Sequence, residues 1–213
     1  MLKASEKAYD YIKEKILNGS FHPAQRLVET QLSAEIAVSR NSVRKALQQL
    51  EKDRLISIET NKGAKVISLD INHILQYYEI RIALECIIMR AAAANITDAE
   101  LAQLAATYDT MKELCEKQDY VNYSKNNIAF HNLIYVASRK PVIASMISEI
   151  KMQLSRYQIK TMLVPGRAKE SLGEHKALLD ALRERNAERA IEMITVHLSN
   201  VSDTLEKYIK IFY

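Results

Sequence analysis

Val38-Ser39-Arg40-Asn41-Ser42-Val43-Arg44-Lys45-Ala46-Leu47-Gln48-Gln49-Leu50 is the stretch whose reading decides the fold of the first third of the chain. Ser39 is a good helix N-cap, and the run Arg40 to Asp53 that follows it has no helix breaker. Val43, Ala46, Leu47 and Leu50 fall on one helical stripe, so they turn inward and leave Arg40, Asn41, Arg44, Lys45 and Gln48 on the outer face. One face packs and the other is cationic and polar.

Working outward, Ala4 to Asn18 repeats Ala8, Tyr11, Ile12, Ile16 and Leu17 at helical spacing, with Gly19 where a helix end favours a left-handed residue. After Phe21-His22-Pro23, Leu27 to Ala37 predicts a second short helix with Leu32 and Ile36 inward. On the other side, Leu55 to Glu59 and Lys65 to Leu69 read as two short strands joined through Thr60-Asn61-Lys62-Gly63. Three helices and a hairpin, in that order, are a winged helix-turn-helix over residues 1–69. Its charge agrees, because this third holds 12 Lys/Arg against 8 Asp/Glu, whereas residues 70–213 hold 18 of each.

From Asp70 onward strand patterns give way to amphipathic helices near 71–95, 97–118, 120–138, 140–160, 168–184 and 186–210. Asp98, Asp119 and Asn186 are candidate N-caps, and Val164-Pro165-Gly166 is the clearest break. Short connections predict an antiparallel all-α bundle over residues 70–213, which makes the whole chain mainly α. With 48% hydrophobic and 26% charged residues among 213, and four Gly and three Pro, the composition is that of a core-forming helical protein. No apolar run is long enough for a bilayer, and the first residues lead into a polar helix, so a cytoplasmic protein without membrane contact is expected. Cys86 and Cys115 sit in apolar helical patterns and read as reduced core thiols.

A helix that lies in the major groove reads base edges with its N-terminal side chains, which suits Ser39, Arg40, Asn41 and Arg44. Either arginine could reach guanine or hold a phosphate, Asn41 could read adenine, and Ser39 and Thr30 could anchor phosphates. Gly63 would let the wing tip approach the backbone, with Lys62 supplying charge. In the second region His131, His175 and His197 fall on three separate helices, each on or beside an apolar stripe, and Asn127 lies one turn before His131. Three imidazoles and one oxygen suit a borderline divalent ion such as zinc, nickel or manganese. Arg81 could receive a carboxylate bidentately or pair with Glu85 one turn on. Tyr77, Tyr123, Tyr135 and Tyr157 could line a polar pocket or fill the core.

Residues 5–69 resemble the DNA-binding domain of the GntR family of bacterial regulators. The resemblance is carried by Ile16 to Gly19, Pro23 to Leu27, Leu32-Ser33, Val38 to Leu47, Leu50-Glu51, Gly63 and Val66. It implies operator contacts at Thr30, Ser39, Arg40, Asn41, Arg44 and Gly63. Residues 71–210 resemble the FCD ligand-binding domain of the FadR-type branch of that family, through Arg81, Leu84-Glu85, Asn127, Phe130-His131, Glu174-His175, Leu178, Ala181, Ala190, Met193 and His197. With this histidine set the resemblance implies a metal-dependent sensor of a carboxylate or sugar acid. Several residues depart from the family pattern. Ala24 and Arg54 stand where Gly is usual, Lys45 replaces a frequent Glu, Asn127 replaces Asp, and Arg139-Lys140 replaces a common Gly-Asn.

The expectation is therefore a non-enzymatic transcription regulator, a repressor released by a small carboxylate or sugar acid bound near a divalent metal. It would act as a homodimer on double-stranded operator DNA with an inverted repeat, reorienting its winged domains about Leu69-Asp70-Ile71 when the effector binds. Two rivals remain. A metal-dependent hydrolase would need a carboxylate base, and Glu174 points about 100° around its helix from His175. A structural DNA binder would ignore metabolites.

Overall fold

A computed structural model describes residues 3–59 and 63–212. The chain divides into two compact units, Met1–Asp70 and Ile71–Tyr213. In the first, α1 (Ala4–Leu17), β1 (Arg26–Leu27), α2 (Glu29–Ile36), α3 (Arg40–Lys52), β2 (Ile56–Glu59) and β3 (Gly63–Val66) follow in order. Ala8, Ile12 and Ile16 of α1 meet the buried stripe Val43, Ala46, Leu47 and Leu50 of α3, and Leu32 and Ile36 of α2 close the core.

Here the sequence reading needs a correction. Leu27 does not open the second helix; it lies in β1, which pairs antiparallel with β3 through Arg26↔Lys65 and Leu27↔Ala64. The sheet has three strands in the order β1-β3-β2, not two, and β3 ends at Val66 rather than Leu69. A two-residue strand is too short to show an alternation. What places it is β3, whose edge takes up the backbone groups around residues 24–27, as in Ala24 N–H donating to Val66 O at 3.0 Å.

The second unit holds α4 (Ile71–Asn95), α5 (Asp98–Glu116), α6 (Tyr120–Ser138), α7 (Pro141–Thr161), α8 (Arg167–Arg183) and α9 (Ala187–Phe212). α4 packs against α9, α6 and α7, while α5 packs on α6 and α8. Asp119 and Asn186 cap α6 and α9 as expected, accepting from the backbone N–H of Asn122 and Arg189. Asp98 does not cap α5. Thr97 does, in a capping box where its hydroxyl accepts from Glu100 N–H and the Glu100 carboxylate accepts from Thr97 N–H. Among the described residues no helix is long and apolar enough to cross a membrane.

The departures from the family's glycines have a common geometry. Ala24, Arg54 and Arg139 carry φ of 65°, 56° and 57°, the left-handed region in which a Cβ is strained. Glycine is usual there because the backbone requires that conformation.

Candidate functional site

In the first unit, Ser39 accepts from Ser42 N–H at 3.1 Å and so fixes the start of α3. Arg40, Asn41 and Arg44 are exposed on the first turns of that helix. Thr30 from the first turn of α2, Arg40 and Arg44 from α3, and Gly63 from β3 line one concavity of about 480 Å³, together with Arg26 and Glu29. Lys62 lies outside the described residues. Arg44 is not a free cation. Its Nε and Nη2 donate to the two carboxylate oxygens of Glu29 at 3.1 and 2.9 Å, and this fork holds the Glu29 carboxyl below its ordinary range. Sequence reasoning missed Glu29, because 15 positions separate the partners and only the fold of α2 against α3 brings them together.

In the second unit, α6, α8 and α9 bring His131, His175 and His197 together, all buried. Their ligand-capable nitrogens lie within 4.8 Å of one another. His175 Nδ1 sits 2.5 Å from the Ser171 carbonyl and His197 Nδ1 sits 2.6 Å from Glu174 Oε2. Both acceptors require a proton on Nδ1, which leaves each Nε2 with a lone pair. His175 Nε2 lies 3.2 Å from His131 Nε2. Burial first, and then the charge of His197, push His175 down to about 3, and burial likewise holds His131 and His197 below the usual histidine range. In all three imidazoles burial therefore disfavours the protonated form.

Asn127 Oδ1 and His131 Nδ1 are buried without a hydrogen-bond partner among the described residues. An acceptor left in this way costs about 1–3 kcal/mol. A divalent ion accepts the same donor set, two or three imidazole nitrogens with oriented outer nitrogens and one amide oxygen, and a borderline ion fits it better than calcium or magnesium.

Glu174 turns away from His175, as its helix position dictates, but that direction carries it to His197 on α9. It also accepts from Arg167 Nη2 at 2.8 Å and Asn200 Nδ2 at 2.7 Å. Burial acts to raise its carboxyl, yet the hydrogen bonds from His197, Arg167 and Asn200 hold it down to about 2. It orients an imidazole and is engaged on both oxygens. The Glu-His dipeptide was in view in the sequence, but its partner on α9 was not.

Arg81 pairs with Glu85 one turn on. Its Nε donates to Glu85 Oε1 at 3.2 Å, where Tyr135 Oη also donates at 2.6 Å, while its Nη1 is buried without a partner among the described residues. Tyr123, Tyr135 and Tyr157 are buried in the core; Tyr123 Oη lies 3.4 Å from Ser171 Oγ, and burial pushes its phenol up to about 12. Tyr77 is half-buried, and Cys86 and Cys115 are free thiols.

Residues 4–66 match the gntR family of bacterial regulatory proteins, and residues 76–200 match the FCD domain. The chain belongs to the GntR family of transcription regulators, with an FCD domain. It is 26% identical over 199 residues to YdhC, an HTH-type transcriptional regulator of Bacillus subtilis, covering 93% of this chain and 89% of that one. To the gluconate operon transcriptional repressor of the same organism it is 25% identical over 206 residues, covering 93% and 83%. The fold is shared with Escherichia coli McbR/YncC, at a TM-score of 0.81 and 21% identity over 98% of this chain and 100% of that one. Family membership settles the regulator against the hydrolase: these proteins are transcription regulators, not enzymes.

Proposed function

We propose that this regulator is a repressor whose FCD domain holds a divalent transition metal, zinc, nickel or manganese, on His131, His175, His197 and Asn127. A small carboxylate or sugar acid completes the site against Arg81 and releases the protein from its operator. The observation that carries this reading is the convergence of three buried imidazoles with two outer nitrogens already anchored by Ser171 O and Glu174. When bound, the ion supplies a positive centre that draws a carboxylate. The chain's own residues do the rest: Ser171 and Glu174 set the imidazole orientation, the buried tyrosines wall off water, and Arg81 offers an open donor.

Operator DNA is read by Thr30, Ser39, Arg40, Asn41, Arg44 and Gly63, with Lys62 adding charge at the wing, and a homodimer meets the two halves of an inverted repeat. The relative named for the gluconate operon supports a sugar acid among the candidate effectors. Metal analysis of untagged protein, followed by a gel shift on the gene's own upstream region with and without sugar acids, tests the reading. Bound metal at about one equivalent and acid-dependent release are expected. No ion after reloading with zinc, nickel or manganese would remove the metal site.

A further inference from the structure

In the interior of the FCD domain two buried arginines face two glutamates that do not use up their donors. Arg81 and Arg167 are buried, and near Arg81 the Lys151 ammonium is pushed down to about 8 by burial first and then by the Arg81 guanidinium. The buried acids facing them are Glu85 and Glu174, and Glu174 is already shared among Arg167, His197 and Asn200. Three guanidinium nitrogens have no partner among the described residues: Nη1 of Arg81, and both Nε and Nη1 of Arg167. A buried charged donor without an acceptor is among the costliest groups a fold can carry, and an anionic ligand is one way to satisfy it.

The two arginines come from different helices, Arg81 from α4 and Arg167 from the first turn of α8. Both act electrostatically on His197, so both border the histidine cluster. The ligand set there is neutral throughout, because Asn127 stands where the family pattern has an aspartate. A divalent ion on neutral ligands keeps its full charge, and a monocarboxylate balances half of it.

We propose that the effector is a dianion, a small dicarboxylic acid, with one carboxylate at the metal and Arg81 and the second at Arg167. This rests on the reading that the cluster holds a metal and an acid; it adds the number of acidic groups and the residue that counts them. Arg167 is then a specificity-determining residue and not only the partner of Glu174.

The test is calorimetric titration of full-length, zinc-loaded or manganese-loaded protein with matched acids, lactate against malate and gluconate against glucarate. In wild type the diacid of at least one pair binds about 10-fold tighter or more than its monoacid, the worth of one charge-assisted contact. Arg167→Lys, which keeps a cation beside Glu174, reduces that preference while monoacid affinity stays within about 3-fold and metal content is unchanged; Arg167→Gln, read as the ratio of diacid to monoacid affinity so that its lost contact with Glu174 cancels, abolishes it. Monoacids binding as tightly as diacids in wild type would overturn the dianion and leave the sensor reading standing, as would a preference that survives in Arg167→Gln. If none of the four acids binds the loaded protein, both readings fall together.

Discussion

Two arginine–glutamate pairs of nearly equal length sit in the two units of this regulator, and they do opposite jobs. Arg44 and Glu29 meet at 2.9 Å on the outer face of α2 and α3, with side chains 55% and 28% exposed. Arg167 and Glu174 meet at 2.8 Å inside the FCD domain, 3% and 12% exposed. Water competes for the first pair and screens it, so the pair contributes little to folding and its arginine is free to exchange partners. Nothing competes for the second. Removing one member strands the other in a medium that cannot solvate it, so that pair fixes geometry instead of yielding it.

The sharpest way to break this contrast is Glu174→Ala. It leaves Arg167 with no acceptor and His197 Nδ1 without its anchor, and we expect a loss of about 3–5 kcal/mol in urea denaturation of the metal-free protein. Metal affinity falls in parallel by about 10–100-fold, read by competition with a chromophoric chelator. A stability loss as small as that of a surface substitution would mean that the buried pair is no different from the exposed one.

Arg44→Ala tests the other side. Its denaturation midpoint stays at the wild-type value, while operator affinity in a gel shift drops by about 10-fold or more. Glu29→Gln is the complementary probe. It frees the guanidinium and removes a carboxylate that repels phosphates, so binding to DNA of unrelated sequence tightens and the ratio of operator to unrelated DNA falls. If Arg44→Ala binds operator at full strength, the outer face of α3 is not the reading surface.

Why the helix and the histidines were legible in the sequence and the two pairs were not follows from how each feature is encoded. The stripe Val43, Ala46, Leu47 and Leu50 and the Ser39 cap are local patterns, and they specified α3 to within a residue. The histidines were visible because a buried imidazole is rare enough to notice at single positions. β1 escaped, since its two residues carry no period, and so did Glu29 beside Arg44 and Glu174 beside His197, which are contacts between helices with no trace in spacing. Arg167 escaped for a further reason. A lone arginine after a Pro-Gly break looks like a surface residue until burial is known.

The smallest effects concern a third pair, Arg139 with Glu100 at 2.7 Å, 48% and 18% exposed. Arg139 occupies a left-handed position at the end of α6, as Ala24 does in the other unit. Ala24→Gly relieves the Cβ strain and loses no contact, so a gain of about 1 kcal/mol is expected. Arg139→Gly relieves the same strain but gives up the contacts of its Nη1 with Glu100 and with Val136 O, and its melting temperature is expected to stay at the wild-type value. The hydrogen bond from Arg139, with those from Thr97, lowers the Glu100 carboxyl to about 2, below its unfolded value near 4.5. A depressed carboxylate favours the folded state above the unfolded value and loses that contribution as pH falls toward 2. In Arg139→Gly the Glu100 midpoint, followed by carbon NMR, moves back up toward the ordinary range. A gain in melting temperature equal to that of Ala24→Gly would show that the arginine at this exposed site offsets none of the strain it imposes.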